Sequence, residues 1–177
     1  LTTKYDQTDE LKDNIVNVAL DWIASGINPE KSTIYLQSLV PEIAELHIYF
    51  SMITPQNWVE RDPTLKDMVK ILRKDHSEEE TQDVSGLISY GLLGYPVLQS
   101  ADILGFNASL VPVGVDQLAH LEFSRDVARR FNYIYKTNYF NEPQPKLTET
   151  PLIKGIDGQK MGKSFNNDIK ISDTEEE

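Results

Sequence analysis

The hydrophobic pattern of the first third of the chain predicts two helices with a strand between them. Residues 9–25 carry an apolar side chain every three or four positions and are followed by a glycine, which is typical of an amphipathic helix and its end. Residues 32–39 (STIYLQSL) are rich in β-branched and aromatic side chains and lie between turn signals, so we predict a buried strand. Residues 41–54 predict a second helix, with a proline at its first position and another just beyond its end.

The middle of the chain predicts two further helices. Residues 62–74 have apolar positions at helical spacing after an Asp-Pro start, and residues 84–93 form a shorter apolar segment. The acidic segment 76–83 lies between them and is interpreted as a loop or a helix end.

Residues 94–132 are the stretch around which the chain is organised. They predict a helix, a strand at 108–113, a glycine turn and a second helix, which is the repeating order of a parallel α/β sheet. Tyr95, Gln99 and Asp102 share one face of the first helix, whose other positions are mostly apolar. A lone aspartate in such a helix is more often a cap or a backbone partner. Because a polar stripe and a Gly-x-Asp-Gln turn flank one predicted strand, the combination favours a small-molecule pocket, with a specific donor for the Asp102 carboxylate.

The second helix of that stretch is predicted to bury an apolar stripe and to expose a charged face. The outer face has Glu122 and Arg125, and Asp126 and Arg130, at the spacing of surface ion pairs. His120 is interpreted as a structural hydrogen-bonding residue. The stripe steps by four through Val115, Ala119, Phe123, Val127, Phe131 and Tyr135.

The last part of the chain predicts irregular structure. Residues 138–150 are polar and proline-rich, which indicates a connecting loop, and residues 155–158 form a tight turn. Lys160 and Lys163 follow this turn with two small or apolar residues between them. Two lysines at this spacing are a weak signal of function alone. The signal is stronger here because they follow the predicted sheet and helix.

Composition narrows the class of protein. The 177 residues include no cysteine, which excludes disulfides and thiolate metal sites, and three scattered histidines have no ligand spacing. A formal net charge of −11 argues against a surface that simply coats nucleic acid. No run of about 18 apolar residues is present and LTTKYDQTDE is not a signal peptide, so we expect a soluble protein. The lack of cysteine fits a cytoplasmic location.

Four segments of the sequence resemble the tryptophanyl-tRNA synthetases, a family of class I aminoacyl-tRNA synthetases. VPVGVDQLAHLEFSRDVARRFN follows GYPVLQSADIL, and GIDGQKMGKS is similar to the KMSKS signature of the class. QSLVPEIAELHIYFSMITPQNWVERDPTLKD resembles the connecting region of the bacterial form. The segments occur in the order of the family and cover nearly the whole chain.

The resemblance implies an α/β fold, namely a Rossmann-like parallel sheet with flanking helices and a helical connecting insertion. Residues 1–177 would be a partial nucleotide-binding catalytic domain, with residues 40–93 as a connecting and dimerisation region. The HIGH-like segment and the C-terminal anticodon-binding domain of the family are absent from the sequence. We therefore expect an internal fragment that is inactive alone.

The implied reaction activates L-tryptophan with ATP to tryptophanyl-adenylate and transfers the amino acid to tRNA(Trp). Mg²⁺ is expected to accompany ATP, without a metal site on the protein, and a homodimer is expected. The predicted helix at residues 62–74 is the most basic stretch of the chain, with Lys66, Lys70, Arg73 and Lys74. A solvated helix face is favoured for these charges over contact with phosphate or the tRNA acceptor end.

The resemblance also implies a role for each site residue. Lys160 and Lys163 would be catalytic, and Asp102 would accept the indole N–H. The tryptophan site would comprise Tyr95, Gln99, Asp102, Val111, Val113 and Gln117, and the ATP site Gly114, Asp116, Lys160, Met161, Lys163 and Ser164.

Three further interpretations stay open at this point. A tyrosyl-type synthetase shares the fold and the Gly-x-Asp-Gln turn, although VPVG and the segment that ends in RRFN favour the tryptophanyl type. A non-catalytic tryptophan or adenine-nucleotide sensor is suggested by Gly162, which replaces a serine of the KMSKS signature. The third is a dimerisation fragment built on the connecting region. Gln99 and Val115 also depart from the residues that are frequent in the family, namely methionine and glutamate.

Overall fold

The computed structural model describes residues 8–63, 65, 88–148, 153–159, 161–162, 167–169, 171 and 173. Contacts divide the chain into two compact units. One lies within Gln37–Leu147, and the other combines described residues of Lys4–Leu36 and Thr148–Glu177. In the part of the chain that is described, no helix has the length and apolar character needed to cross a membrane.

Most of the regular elements among the described residues are helices, and helices also supply most of the core residues. The predicted helices at 9–25 and 41–54 are confirmed, and Pro41 occupies the first position of the second one. The strand predicted at 108–113 is confirmed in shorter form. The elements are α1 (Leu11–Ala24), a 3-10 turn (Gln37–Leu39), α2 (Pro41–Ile53), α3 (Gln56–Val59), α4 (Tyr90–Leu104), β1 (Leu110–Pro112), a 3-10 turn (Val115–Gln117), α5 (Leu118–Tyr135) and β2 (Gln144–Lys146).

β1 and β2 form a parallel pair, with α5 as the connection between them. Val111 lies opposite Pro145, so β2 falls inside the segment 138–150 that was predicted to be a loop. The prolines caused this error, since proline cannot donate to a strand ladder. In β2 the residues on either side of Pro145 make the hydrogen bonds to the β1 segment. The Gln144 amide donates to the Ser109 carbonyl at 2.9 Å, and the Lys146 carbonyl accepts from the Val113 amide at 3.2 Å.

The prediction of a buried strand at 32–39 is wrong. Residues 33–36 lie outside regular elements, and Gln37–Leu39 is a 3-10 turn. Leu39 is 77% exposed. β-Branched and aromatic residues favour a strand only where neighbouring strands offer pairing and burial. In the described part of the chain the sheet consists of β1 and β2.

The helix predicted at 84–93 is not a separate element. Its described end belongs to α4, which begins at Tyr90 after Ser89 and continues past Pro96. The Ser89 hydroxyl accepts a hydrogen bond from the Leu92 amide at 3.1 Å and so caps the helix. Most of the predicted helix at 62–74 and the whole acidic segment 76–83 lie outside the described residues.

The apolar stripe of α5 is only partly confirmed. Val127 is fully buried, whereas Val115 and Tyr135 are exposed, at 50% and 58%. The chain passes through a 3-10 turn before Leu118, so the helical period begins later than the sequence pattern assumed. The residues of α5 that are buried are His120, Leu121, Ser124, Val127 and Ala128.

One ion pair on the charged face of α5 differs from the prediction. Arg125 pairs with Glu122 at 2.9 Å as predicted, but Asp126 pairs with Arg129 at 2.6 Å. Arg130 instead donates to the Ile53 carbonyl at the end of α2 and lies 5.6 Å from the centre of the Trp58 ring. A cation that can reach both a helix end and an aromatic face gains two favourable contacts there.

The core of the Gln37–Leu147 unit joins α2, α4 and α5. Phe50 is fully buried at its centre, with the rings of Phe131 and Phe140 at centroid distances of 6.3 and 5.4 Å in edge-to-face geometry. The cluster comprises Ile43, Phe50, Val59, Val97, Ala101, Leu104, Val127, Ala128 and Phe140. This packing holds α4, which carries predicted site residues, against α5, which directly follows the predicted residues Asp116 and Gln117.

Replacing Phe50 with alanine should lower the free energy of unfolding by about 3–5 kcal/mol, because it leaves a cavity among three helices. Met52→Ala on the same helix is the control, since Met52 is 72% exposed. Urea unfolding followed by circular dichroism measures both variants. A Phe50→Ala effect no larger than that of Met52→Ala would contradict the assigned core.

Candidate functional site

The candidate site begins at the carboxyl end of β1, where the chain turns into α5. Gly114 stands at this turn, and a Cβ built on it would lie 2.5 Å from Asp116 Oδ1. A larger residue would therefore shift the exposed Asp116 side chain. The turn places Asp116 and Gln117 beside α4.

Gln99 and Gln117 connect α4 to this turn. Gln99 Nε2 donates to Gln117 Oε1 at 3.3 Å, and Gln117 Nε2 donates to Asp116 Oδ2 at 3.2 Å. Both glutamines are half-buried, whereas Asp116 is exposed. The amide chain therefore fixes the orientation of two predicted site residues and leaves a carboxylate at the surface.

Asp102 has the specific donor that the sequence predicted, and the donor is Gln37. Gln37 Nε2 donates to Asp102 Oδ1 at 2.7 Å, across 65 residues of sequence. Burial raises the pKa of the Asp102 carboxyl, and the hydrogen bond from Gln37 opposes this shift. Sequence reasoning missed Gln37 because it lay in a predicted strand, where a polar side chain gives no separate signal.

Tyr95 belongs to a buried polar cluster with Asp62 and His120. The Tyr95 hydroxyl donates to Asp62 Oδ2 at 3.2 Å and lies 3.3 Å from His120 Nε2. His120 Nδ1 lies 3.2 Å from the same Asp62 oxygen, and the Tyr95 and His120 rings meet edge to face at 5.3 Å. Asp62 and His120 are 7% and 3% exposed. Sequence reasoning treated Asp62 as part of a helix start and could not see that it reaches α4.

Val111 and Val113 are two residues apart and half-buried, so they project to the same side of the β1 segment. The predicted residues of this unit thus lie on a continuous set of elements: α4, the end of β1 and the start of α5. Half-buried carboxylate, amide and phenol groups are suited to bind a ligand with hydrogen-bond donors at two ends.

The second unit contains the lysine-bearing segment. Lys160, Lys163 and Ser164 lie outside the described residues, whereas the Met161 amide donates to the Ile153 carbonyl at 2.9 Å. The turn at 155–158 is confirmed by the bond from the Gly158 amide to the Gly155 carbonyl at 2.9 Å, with a φ of +77° at Gly158.

Asn167 organises this segment, and sequence reasoning missed it. Its Oδ1 accepts from the Gly162 amide at 2.9 Å, and its Nδ2 donates to Asp157 Oδ1 at 2.8 Å. Asn167 is 2% exposed and touches Gly155 so closely that a Cβ there would overlap it. The Gln159 amide and Asn167 hold the pKa of the Asp157 carboxyl below its usual value.

A protein metal site was not predicted. Among the described residues, no group of three or more His, Cys, Asp or Glu side chains is placed to hold a metal ion.

The family model described as tRNA synthetases class I (W and Y) matches residues 1–177. The chain belongs to this family. Among curated relatives, the tryptophan–tRNA ligase of Aquifex aeolicus is 38% identical over 236 aligned positions, covering 100% of the chain and 60% of the relative. That of Chlamydia caviae is 49% identical over 176 positions, covering 98% and 48%. The chain therefore spans about half the length of most curated relatives that it matches.

Solved structures confirm the predicted Rossmann-like class I synthetase fold. A tryptophanyl-tRNA synthetase from Campylobacter jejuni, complexed with ADP and tryptophan, superposes with a TM-score of 0.81 at 36% identity and covers 99% of the chain and 50% of that protein. A tyrosyl-tRNA synthetase from Archaeoglobus fulgidus, complexed with L-tyrosine, has a TM-score of 0.69 at 21% identity, covering 99% and 48%. The second likeness shows the fold alone.

Replacing Asn167 with alanine should speed hydrogen exchange of the Gly162 amide about fivefold, because the amide loses an acceptor worth ~1 kcal/mol. Asn138→Ala in the other unit is the control, since Asn138 is exposed. Exchange measured by NMR distinguishes the two. Unchanged protection of Gly162 in Asn167→Ala would contradict the assigned bracing role.

Proposed function

We propose that the protein to which these residues belong is a tryptophan–tRNA ligase. It activates L-tryptophan with ATP, releases pyrophosphate, and transfers the tryptophanyl group from the adenylate to tRNA(Trp). The observation that carries this proposal is the half-buried Asp102 carboxylate on α4, oriented by Gln37 at 2.7 Å. Relatives at 38% and 49% identity that are named tryptophan–tRNA ligases support the choice of substrate.

Asp102 is the proposed acceptor for the indole N–H. Within the described part of the chain, the hydrogen bond to Asp102 is made to Oδ1, so Oδ2 is available to the substrate. Phenylalanine has no donor at this position and would leave the second oxygen unpaired in a partly buried site. Sites that hydrogen-bond one substrate group discriminate strongly against analogues that lack it.

The other tryptophan-site residues divide between the ring and the α-carbon groups. Val111 and Val113 flank the ring from the β1 side. Tyr95, Gln99 and Gln117 hold the ammonium and carboxylate ends. The two glutamines are already joined at 3.3 Å, so each can turn one polar atom toward the substrate without losing its orientation.

ATP is proposed to bind through residues of the turn after β1 and residues of the lysine segment. Gly114 allows the nucleotide to approach the backbone, and Asp116 faces the ribose. Lys160 and Lys163 neutralise charge that develops on the phosphates, and Met161 and Ser164 complete that segment. Mg²⁺ enters with the triphosphate as its counterion, consistent with the oxygen-rich coordination that this ion prefers.

A homodimer in the cytoplasm is proposed on separate grounds. α2 belongs to the connecting region 40–93 and exposes Ile48, Tyr49 and Met52, at 54%, 52% and 72%. Large apolar side chains on one helix suit an interface between two copies. The cytoplasmic location follows from the proposed tRNA substrate.

The test is amino-acid-dependent exchange of pyrophosphate into ATP by the natural gene product that contains these residues. Tryptophan should support exchange and tyrosine should not. Asp102→Asn should lower kcat/KM for tryptophan about 10–100-fold, the range of a hydrogen bond to a charged group.

Asp126→Asn is the matched control, because this carboxylate is exposed and pairs with Arg129 on the outer face of α5. It should leave exchange unchanged. Exchange that depends on tyrosine, or Asp102→Asn activity equal to that of Asp126→Asn, would contradict the proposed function.

A further inference from the structure

Met161 and Gly162, the two residues between the predicted catalytic lysines, are both held at their backbone amides. The Met161 amide donates to the Ile153 carbonyl and the Gly162 amide donates to Asn167 Oδ1, each at 2.9 Å. Both residues are half-buried. Glycine restricts its own backbone less than any other residue does. The bond from Asn167 therefore supplies a restraint at Gly162 that the glycine cannot supply itself.

The asparagine side chain suits this position because its two ends meet partners of opposite polarity. A backbone amide can only donate and an ionised carboxylate can only accept, so Oδ1 of Asn167 faces Gly162 and Nδ2 faces Asp157, at 2.9 and 2.8 Å. The Gln159 amide donates to the same Asp157 oxygen at 2.9 Å. One buried side chain thus links the turn before the lysines to the backbone between them.

The turn at 155–158 also contacts the backbone of Asn167. A Cβ at Gly155 would overlap the Asn167 carbonyl and its side-chain amide, so a larger residue there would force the two segments apart. The Ile156 amide donates to the Asn167 carbonyl at 3.1 Å. Asn167 is therefore fixed through its main chain as well as through both polar ends of its side chain.

A fixed backbone matters for the charge neutralisation that the proposed function assigns to Lys160 and Lys163. Groups that are held in place before the reaction need no reorganisation as charge develops on the phosphates. A lysine side chain is a flexible four-carbon stem, so the fold can fix only the point at which it leaves the backbone. The bonds at Met161 and Gly162 fix the backbone that joins those two points.

We infer that Asn167 and Asp157 are positioning residues that fix the backbone between Lys160 and Lys163, and that use of ATP in the proposed reaction depends on them. The inference rests on the proposed function, because it takes the lysine segment to act on ATP. It adds two residues from outside the predicted site and assigns them to the nucleotide, not to the amino acid.

The test compares use of ATP with binding of tryptophan by the natural gene product. Asn167→Asp places two carboxylates at hydrogen-bonding distance, and it should lower kcat/KM for ATP in pyrophosphate exchange about tenfold or more. Binding of tryptophan without ATP, measured by calorimetry, should stay within about twofold, because the tryptophan site is proposed on other elements.

Exchanging the two polar groups is the decisive variant. Asp157→Asn alone should have little effect, since an amide oxygen can still accept from Gln159 and Asn167. Combining Asp157→Asn with Asn167→Asp restores a donor and an acceptor between the two positions. The double variant should recover kcat/KM for ATP to within about threefold of the wild type. Asn138→Asp, at an exposed position of the other unit, is the matched control and should change neither measurement.

Thermal unfolding reports whether each variant is folded. If Asn167→Asp does not fold, Asn167→Gln provides the comparison, because the additional methylene moves the amide away from both partners. A selective fall in kcat/KM for ATP is again expected.

Unchanged kcat/KM for ATP in a folded variant would overturn the inference, and so would an equal loss of tryptophan binding, which indicates a merely structural role. A double variant no better than Asn167→Asp would overturn it as well. In these cases tryptophan-dependent exchange by the wild type would leave the proposed function standing. Exchange supported by tyrosine instead would overturn the proposed function alone, because the comparison for ATP can be made with that amino acid. Absence of exchange with either amino acid would overturn both.

Discussion

The need to pair polar side chains on an apolar helix determines how this site is built. α4 buries Val97, Ala101 and Leu104 against the core, yet the same helix carries a phenol, an amide and a carboxylate. Each of these groups loses water in the folded chain and requires a partner. The partners come from three different segments: Asp62 after α3, Gln117 before α5, and Gln37 before α2. The hydrogen bonds that pair the polar side chains of α4 therefore fix the positions of these three segments.

Close packing between α4 and α5 makes this arrangement possible. Ser100 and Ser124 meet at the contact of the two helices, with their hydroxyl oxygens 3.0 Å apart, and both are fully buried. Each hydroxyl also lies where it can donate within its own helix turn, Ser100 to the Pro96 carbonyl at 2.8 Å and Ser124 to the His120 carbonyl at 3.0 Å. Small side chains allow the helices to approach, and this approach brings His120 to Tyr95.

Sequence reasoning reached the helices and the polar face of α4, because both depend on local spacing. α1, α2, α5 and the strand β1 follow from the helical and β-sheet periods and from proline and glycine signals. β2 was missed because its prolines argue against a strand, and the strand at 32–39 was predicted wrongly because pairing partners cannot be read from composition. The resemblance to a protein family implied the roles of the site residues, whereas the structure showed their hydrogen-bond partners.

The partners were beyond the reach of a single sequence. Gln37 and Asp102 are 65 residues apart, and Asp62 and Tyr95 are 33 apart. No local sequence pattern connects residues so far apart. The partner of each polar group on α4 is therefore visible only in the folded structure. Asn167 is a similar case, because an asparagine in a polar segment gives no sign that it will be 2% exposed and will brace a loop.

The most direct test of the account is a crystal structure of the natural gene product with L-tryptophan bound. The account predicts the indole nitrogen about 3 Å from an Asp102 oxygen, and the ammonium and carboxylate groups beside Tyr95, Gln99 and Gln117. Tryptophan bound away from α4, or bound with its two ends exchanged between Asp102 and Tyr95, would contradict it.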